Sequence, residues 1–166
     1  DLGVIDVVKR SSNLNVHLST QASCLNVSSA SFWKSQGVER IVLGREVSIR
    51  EAAEIKEAAG LEVEMFIHGA MCMAYSGNCT ISNFTQGRDS NRGGCSQSCR
   101  FKYGLDFSDG ETKTNTFFMS SKDLIGLEQI PLFCQEQIDS VKVEGRMRSA
   151  LYASVIAKTY RQAIDT

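Results

Sequence analysis

The chain has 166 residues, of which 42% are apolar and 22% are charged, and its formal net charge is −1. This length suffices for one domain with a sizeable core. The near-neutral charge excludes a global electrostatic case for nucleic-acid or membrane binding, so any basic surface has to be local. No run of about 18 or more apolar residues occurs, and the sequence therefore predicts no transmembrane helix.

The chain starts at Asp1 with neither an initiator Met nor the apolar stretch of a signal peptide. This start predicts a cut inside a longer chain; the alternative is a processed mature protein.

Short β-like runs alternate with amphipathic helical runs along the chain. The strands are predicted at 14–18, 40–43, 61–67, 116–119 and 140–143. The helices are predicted at 28–36, 48–59, 122–137 and 148–164. Ser28 or Ser29 is expected to cap the first of these helices, whereas Ser48 and Glu51 fit a capping box at the start of the second, which Gly60 ends.

This alternation predicts an α/β fold with a parallel sheet and right-handed crossovers. A doubly wound sheet also fits the pattern, but polar residues at the strand ends favour a (β/α) TIM-like barrel. About five βα units are present, so the barrel is expected to be partial. A single domain is expected over residues 1–166, with a cysteine-rich insertion at 68–114 where a crossover helix is missing after the third strand.

The carboxyl ends of the predicted strands carry polar side chains, and ligands of parallel α/β folds bind at these ends. They are His17, Ser19, Thr20, Gln21, Arg45, Glu46, Glu64, His68, Ser120, Ser121, Lys122, Asp123, Lys142, Glu144 and Arg146. We interpret them as an active site for a polar, anionic substrate, with ordinary loop polarity as the alternative for any single residue. The catalytic candidates are Glu64, His68, Lys142, Glu144 and Arg146. For the two glutamates, a buried ion pair with Lys142 or Arg146 is an equally good interpretation.

Six cysteines are present, and four of them, Cys72, Cys79, Cys95 and Cys99, lie in the predicted insertion. Six, fifteen and three residues separate them in turn. Structural zinc sites mostly use tighter pairs, whereas iron–sulfur clusters accept more varied thiolate spacings. The pattern predicts a metal site in a reducing, cytoplasmic compartment, and it leaves an iron–sulfur cluster, zinc, and disulfides or free thiols open.

Several motifs resemble those of the peptidase U-32 family, and nearly the whole chain takes part in the resemblance. The matching stretches are 64–72, 76–82, 91–100, 121–124, 142–146 and 160–165. Within that family, the chain is most similar to the branch of tRNA hydroxylation proteins. The full family barrel and its C-terminal domain are longer than this chain.

The resemblance implies a TIM-like barrel with an oxygen-sensitive [4Fe–4S] cluster and a role in forming 5-hydroxyuridine at the tRNA wobble position, drawing on prephenate. Cys72, Cys79 and Cys95 fall on the family signature. We choose Cys99 as the fourth ligand and keep Cys134 in reserve.

Binding of tRNA requires a local basic surface, because phosphate contacts dominate affinity for RNA. Arg88, Arg92, Arg100 and Lys102 supply one around the cysteines, and Tyr75 is placed to stack an unpaired base. The alternative is a solvated loop with incidental arginines.

Two other functions remain open at this point. The family name records proteases, including a collagenase-like activity, but the sequence has neither a His-Glu-x-x-His nor a Gly-x-Ser-x-Gly motif, so a Cys72–His68 dyad would have to act. The third interpretation is a metal-stabilised subunit without its own catalysis that binds a second U-32 protein.

Overall fold

The computed structural model describes residues 1–108 and 113–166. The helices are α1 (Leu2–Ser11), α2 (Val27–Ser35), α3 (Ile49–Ala59), α4 (Ile81–Gln86), α5 (Ile130–Gln135) and α6 (Ala150–Asp165). The strands are β1 (His17–Leu18), β2 (Arg40–Val42), β3 (Glu62–Ala70), β4 (Tyr103–Asp106), β5 (Lys113–Thr116), β6 (Asp123–Ile125) and β7 (Ser140–Val143).

The fold is mixed α/β with a mostly parallel sheet. Strands β1, β2, β3 and β7 run parallel in that order. The exception is β6, which pairs antiparallel with the last residues of β3 and brings Asp123 opposite Ala70. The separate β4–β5 hairpin is antiparallel.

The central strand β3 has two different faces. Val63, Met65 and Ile67 are buried on one face, whereas Glu64 and Phe66 are only partly buried on the other. This alternation follows from the two-residue period of a strand. The buried face packs in one cluster with apolar side chains of four helices, namely Ala30, Ala52, Ile55, Ile130, Phe133 and Tyr160.

The ends of α3 confirm the predicted signals. Ser48 and Glu51 form a reciprocal capping box, and Gly60 takes the left-handed conformation at φ 63°. The predicted cap of α2 is wrong, because Asn26 Oδ1 accepts the hydrogen bond from Ser29 N at 2.9 Å and α2 begins directly after it.

The fourth predicted βα unit is wrong. The apolar run at 116–119 is not a strand of the parallel sheet; Thr116 ends β5 of the hairpin, and Phe117 and Phe118 are 50% and 47% exposed. The helix expected at 122–137 is shortened to α5, since residues 123–125 pair with β3 and a proline is compatible with a helix only in its first turn. Helix α1 was not among the predicted helices.

Residues 71–122 connect β3 to β6, and we call this stretch the excursion. It contains α4, the β4–β5 hairpin and several short 3-10 turns. Because Ala70 and Asp123 are paired, the excursion leaves the sheet and returns to it at one point. Over the described residues, no helix combines the length and apolar character needed to cross a bilayer.

Candidate metal centre

A cavity of about 320 Å³ lies where the parallel strands end. The side chains of Cys72, Cys79, Cys95 and Cys99 all line it, together with residues that follow β1, β2 and β7. Small-molecule sites of α/β folds occupy this position. The structure therefore places the four cysteines near the strand ends, and the metal site expected there stays a prediction.

The chain brings the cysteines to the cavity by short, tight turns. Cys72 follows the end of β3, and Cys79 precedes α4. Between Asp89 and Cys95 the backbone folds back so closely that a Cβ on Gly94 would lie 2.5 Å from the Asp89 carbonyl oxygen. Only glycine permits that approach.

All four thiols are free and half-buried, and two of their sulfurs already accept backbone hydrogen bonds. The amide of Ile81 donates to Cys79 Sγ at 3.4 Å, and the amide of Gln97 donates to Cys95 Sγ at 3.4 Å. Amide donors of this kind stabilise a thiolate and tune a metal centre bound to it.

Burial raises the pKa of the Cys99 thiol, and the neighbouring thiols of Cys72, Cys95 and Cys79 raise it further, while Arg100 lowers it. The environment of the Cys99 thiol thus includes the other three thiols of the cavity. Within residues 1–108 and 113–166, no three His, Cys, Asp or Glu side chains are drawn together as a ready-made metal group. The available ligands nonetheless suit a metal that prefers sulfur, because four free thiols line one cavity and two of their sulfurs accept hydrogen bonds from backbone amides.

The other two cysteines lie elsewhere. Cys24 is fully buried in the hydrophobic core, and burial raises the pKa of its thiol. Cys134 is exposed on α5, and it is not among the described residues that line the cavity.

Buried hydroxyl groups, rather than apolar side chains, fill the interior of the excursion. Ser96 donates to Ser82 Oγ at 3.2 Å, Ser96 and Ser98 share a hydrogen bond of 2.9 Å, and Thr85 donates to Ser98 Oγ at 2.7 Å. Buried polar groups are tolerated when they are hydrogen-bonded to one another. Sequence reasoning missed these serines because their composition resembles that of an exposed loop.

The carboxylate of Glu64 on β3 forms ion pairs with cations on both neighbouring parallel strands. It lies 3.0 Å from Lys142 Nζ and 3.6 Å from Arg40 Nη1, and Ser140 Oγ donates to it at 3.2 Å. Burial raises the pKa of Glu64, but the hydrogen bond and charge of Lys142, with Ser140 and Arg40, outweigh burial and lower it overall. Lys142 lines the cavity, and its ion pair with Glu64 holds its ammonium group in place.

Of the three remaining catalytic candidates, Glu144 and Arg146 line the cavity, and His68 is not among the described residues that line it. His68 Nδ1 lies 3.1 Å from Tyr160 Oη, and its ring packs against Tyr152, so it faces α6. Glu144 lines the cavity, and both of its carboxylate oxygens accept hydrogen bonds, one from Arg146 N and one from Gln97 Nε2.

Two arginines on the cavity wall differ in their partners. Arg146 also lines the cavity and donates to the Gly93 carbonyl at 2.5 Å. The Arg45 guanidinium lies 4.0 Å from the Phe66 ring centroid, and its buried Nε has no hydrogen-bond partner among the described residues. Arg45 belongs to the strand-end polar residues but not to the predicted site residues, because its stacking on Phe66 follows only from the three-dimensional structure.

Comparison with known proteins gives a family match over the entire sequence. The model of "Peptidase family U32" covers residues 1–166. The chain belongs to peptidase family U32.

Among its U32 relatives, the chain is 47% identical to a tRNA hydroxylation protein P1 of Bacillus subtilis over 170 residues, which covers 98% of this chain and 40% of the relative. It is 37% identical to a 23S rRNA 5-hydroxycytidine synthase of Escherichia coli, over 92% of this chain and 23% of the relative. It is 32% identical to a collagenase of Porphyromonas gingivalis, over 92% of this chain and 40% of that protein. The chain thus spans less than half the length of these relatives. No solved structure matches it.

The residues predicted to bind RNA fall into two groups in this U32 chain. Arg88, Arg92, Lys102 and Tyr75 are exposed, with Arg92 only loosely paired to an acid one turn away. Arg100 is turned inwards: its guanidinium lies 2.7 Å from Asp123 Oδ1 and donates to the Met71 carbonyl, so it fastens the excursion instead of facing solvent.

Proposed function

We propose that this U32 chain is part of an RNA hydroxylation protein that acts on the wobble uridine of tRNA and carries an iron–sulfur centre. The observation that carries the proposal is that four free thiols line one cavity at the carboxyl ends of a parallel sheet. Relatives named as a tRNA hydroxylation protein and an rRNA 5-hydroxycytidine synthase support the choice of RNA as substrate.

The chain's own residues have separable roles in this proposal. Cys72, Cys79, Cys95 and Cys99 hold a [4Fe–4S] cluster, with zinc as the alternative, and Cys134 has no part because it lies on α5. The amides of residues 81 and 97 stabilise the thiolate form of two ligands. When bound, the cluster supplies one-electron redox chemistry.

Cations on the cavity wall define a site for a small anion, for which we propose prephenate. Arg45 and Lys142 both lie against the Phe66 ring, at 4.0 and 5.6 Å from its centroid, and Lys142 is held in place by Glu64. Arg45 has no ion-pair partner among the described residues, and a guanidinium whose buried Nε lacks a hydrogen bond favours a carboxylate.

The proposal extends to the assembly around this chain. We propose that the parallel strands form part of a (β/α) barrel in the longer relatives and that the protein works in the reducing cytoplasm, where thiols stay free. A second U32 subunit is a further expected partner, and a chain that only stabilises such a partner would bind it without chemistry of its own.

The decisive experiment is anaerobic purification followed by iron, acid-labile sulfide and zinc analysis and an absorption spectrum. We expect iron and sulfide in about equal amounts, as in a [4Fe–4S] cluster. One equivalent of zinc without iron would overturn the redox assignment.

A genetic experiment tests the substrate. We expect cells that lack the gene to lose 5-hydroxyuridine from tRNA, and we expect the parent gene, but not Cys95→Ser, to restore it.

A peptidase is the second candidate, and the relative named as a collagenase favours it. The geometry opposes a Cys72–His68 dyad, since His68 bonds to Tyr160 and Cys72 lines the cavity. Chelator-insensitive cleavage of a fluorogenic peptide that disappears in Cys72→Ala would establish the peptidase instead.

A further inference from the structure

Each pair of cysteines encloses one non-glycine residue with a left-handed backbone. Ser76 lies between Cys72 and Cys79 at φ 48°, and Gln97 lies between Cys95 and Cys99 at φ 57°. Residues with a Cβ rarely adopt this region, and they persist there only when surrounding contacts hold them.

The contact that holds Ser76 is a carboxylate in the turn that follows β2. Glu46 Oε1 accepts from Ser76 N at 2.6 Å, and Glu46 Oε2 accepts from Ser76 Oγ at 3.3 Å. Ser76 is 1% exposed. A Cβ on Gly44 would lie 2.6 Å from Glu46 Oε2 and 3.1 Å from Ser76 Oγ, so the glycine leaves room for this contact.

The contact that holds Gln97 is a carboxylate at the end of β7. Gln97 Nε2 donates to Glu144 Oε2 at 3.0 Å, while Gln97 N donates to Cys95 Sγ. Glu144 itself is fixed to β3, because its amide donates to the His68 carbonyl at 2.8 Å. A Cβ on Gly69 would lie only 2.4 Å from the Glu144 carbonyl oxygen, so a glycine is again required beside the carboxylate residue.

We propose that Glu46 and Glu144 are positioning residues that hold the two cysteine pairs in the shape needed to receive an inorganic centre. We call the contacts Glu46–Ser76 and Glu144–Gln97 the carboxylate clamps. They connect the ends of two sheet strands to the two halves of the thiol site, so the rigid sheet sets the backbone between the ligands. This inference rests on the proposed metal centre, and it gives Glu144 a task other than acid–base catalysis.

The test exploits the fact that glycine adopts the left-handed region without strain. In Glu144→Ala the strained Gln97 backbone loses its clamp, and we expect iron to be lost to a chelator about tenfold faster, as for removal of a hydrogen bond to a charged group. Adding Gln97→Gly to that variant should restore the parent rate, because a glycine needs no clamp. Glu46→Ala and its combination with Ser76→Gly form the same pair at the other half of the site.

Glu54→Ala is the matched control, since Glu54 is an exposed carboxylate on α3, and it should lose iron at the parent rate. Gln97→Ala, which removes the donor of the clamp but keeps a Cβ, replaces Glu144→Ala if circular dichroism shows that Glu144→Ala is unfolded. The same variants are also titrated with Co²⁺ in the metal-free state, with the thiolate-to-cobalt absorption as readout.

The outcomes distinguish the carboxylate clamps from the proposed iron–sulfur centre. Equal iron loss and equal Co²⁺ affinity in all variants would overturn the clamps, as would a failure of the glycine replacements to rescue. A parent chain that binds Co²⁺ through its thiols but holds no iron refutes the iron–sulfur centre, while the cobalt series still decides on the clamps. A parent that binds neither overturns both.

Discussion

The partners of Glu64 stabilise its ionised carboxylate and so make it a poor general base. It is held by Lys142, Arg40 and Ser140, and its side chain is 14% exposed. A carboxylate with a lowered pKa and several donors is a poor proton acceptor, because the ionised form is already stabilised. This favours the ion-pair interpretation over general acid–base chemistry.

The lowered pKa of Glu64 has a consequence for the pH dependence of stability. The native state binds its proton less tightly than the unfolded state, whose pKa is near the ordinary value of 4.5, so the contribution is complete above that pH and is lost as the pH falls through the native pKa. We expect Glu64→Gln to lower the free energy of unfolding by roughly 1–2 kcal/mol at pH 7. Urea unfolding at pH 7 and below pH 4 should show this difference shrinking; a constant difference would contradict the linkage.

Single cysteine replacements separate ligands from bystanders. Serine in place of Cys72, Cys79, Cys95 or Cys99 should remove most bound iron, because an alkoxide is a poor substitute for a thiolate. Cys134→Ser, on the exposed surface of α5, is the control and should retain the iron content of the parent. Iron analysis after anaerobic purification checks both, and iron loss in Cys134→Ser would reinstate it as the fourth ligand.

Among the secondary-structure elements, helix α3 is capped at its N-terminus by one serine. Ser48 Oγ accepts from the Glu51 amide, and replacing such a cap by alanine typically costs about 1 kcal/mol. We therefore expect Ser48→Ala to lower the urea midpoint without changing the slope. Ser31→Ala, at an exposed position within α2, should leave the midpoint close to that of the parent.

The elements that the sequence predicted well are those whose signals are local. The capping box and Gly60 define α3, and the alternation along β3 defines its buried face. The prediction of a strand at 116–119 is wrong because aromatic and apolar residues favour a strand by composition, whereas only Thr116 lies in one. The predicted helix at 122–137 is too long because Pro131 is compatible only with the first turn of a helix.

The residues of the candidate site likewise separate into those that local sequence signals indicate and those that depend on distant contacts. The four cysteines, Lys142, Glu144 and Arg146 reach the cavity as the strand-end argument predicts. The stacking of Arg45 on Phe66, the turn of His68 towards Tyr160 and the inward ion pair of Arg100 depend on contacts between residues far apart in the chain, which no local pattern reports.

For the whole molecule, the near-neutral charge means that the proposed RNA binding depends on few residues. Arg88 and Arg92 are exposed beside the cysteines. Replacing both with alanine should weaken tRNA binding and reduce the slope of log affinity against log salt by roughly 1–2, because each phosphate contact contributes about 0.7–0.9. Filter binding at several salt concentrations measures this, and Arg161→Ala on α6, where the arginine is paired with Asp165, is the control expected to bind as the parent does. An unchanged slope in the double variant would place RNA on another surface.

The pairing of Ala70 with Asp123 brings both ends of the excursion to one point of the sheet. The contacts of Ser76 with Glu46 and of Gln97 with Glu144 attach the excursion at two further points, so opening it breaks these contacts while the ladder between β2 and β3 stays intact. Amide hydrogen exchange should accordingly be faster across the described residues of the excursion than across the ladder. Loading with metal should slow exchange in the excursion, because a bound centre opposes the loss of these contacts.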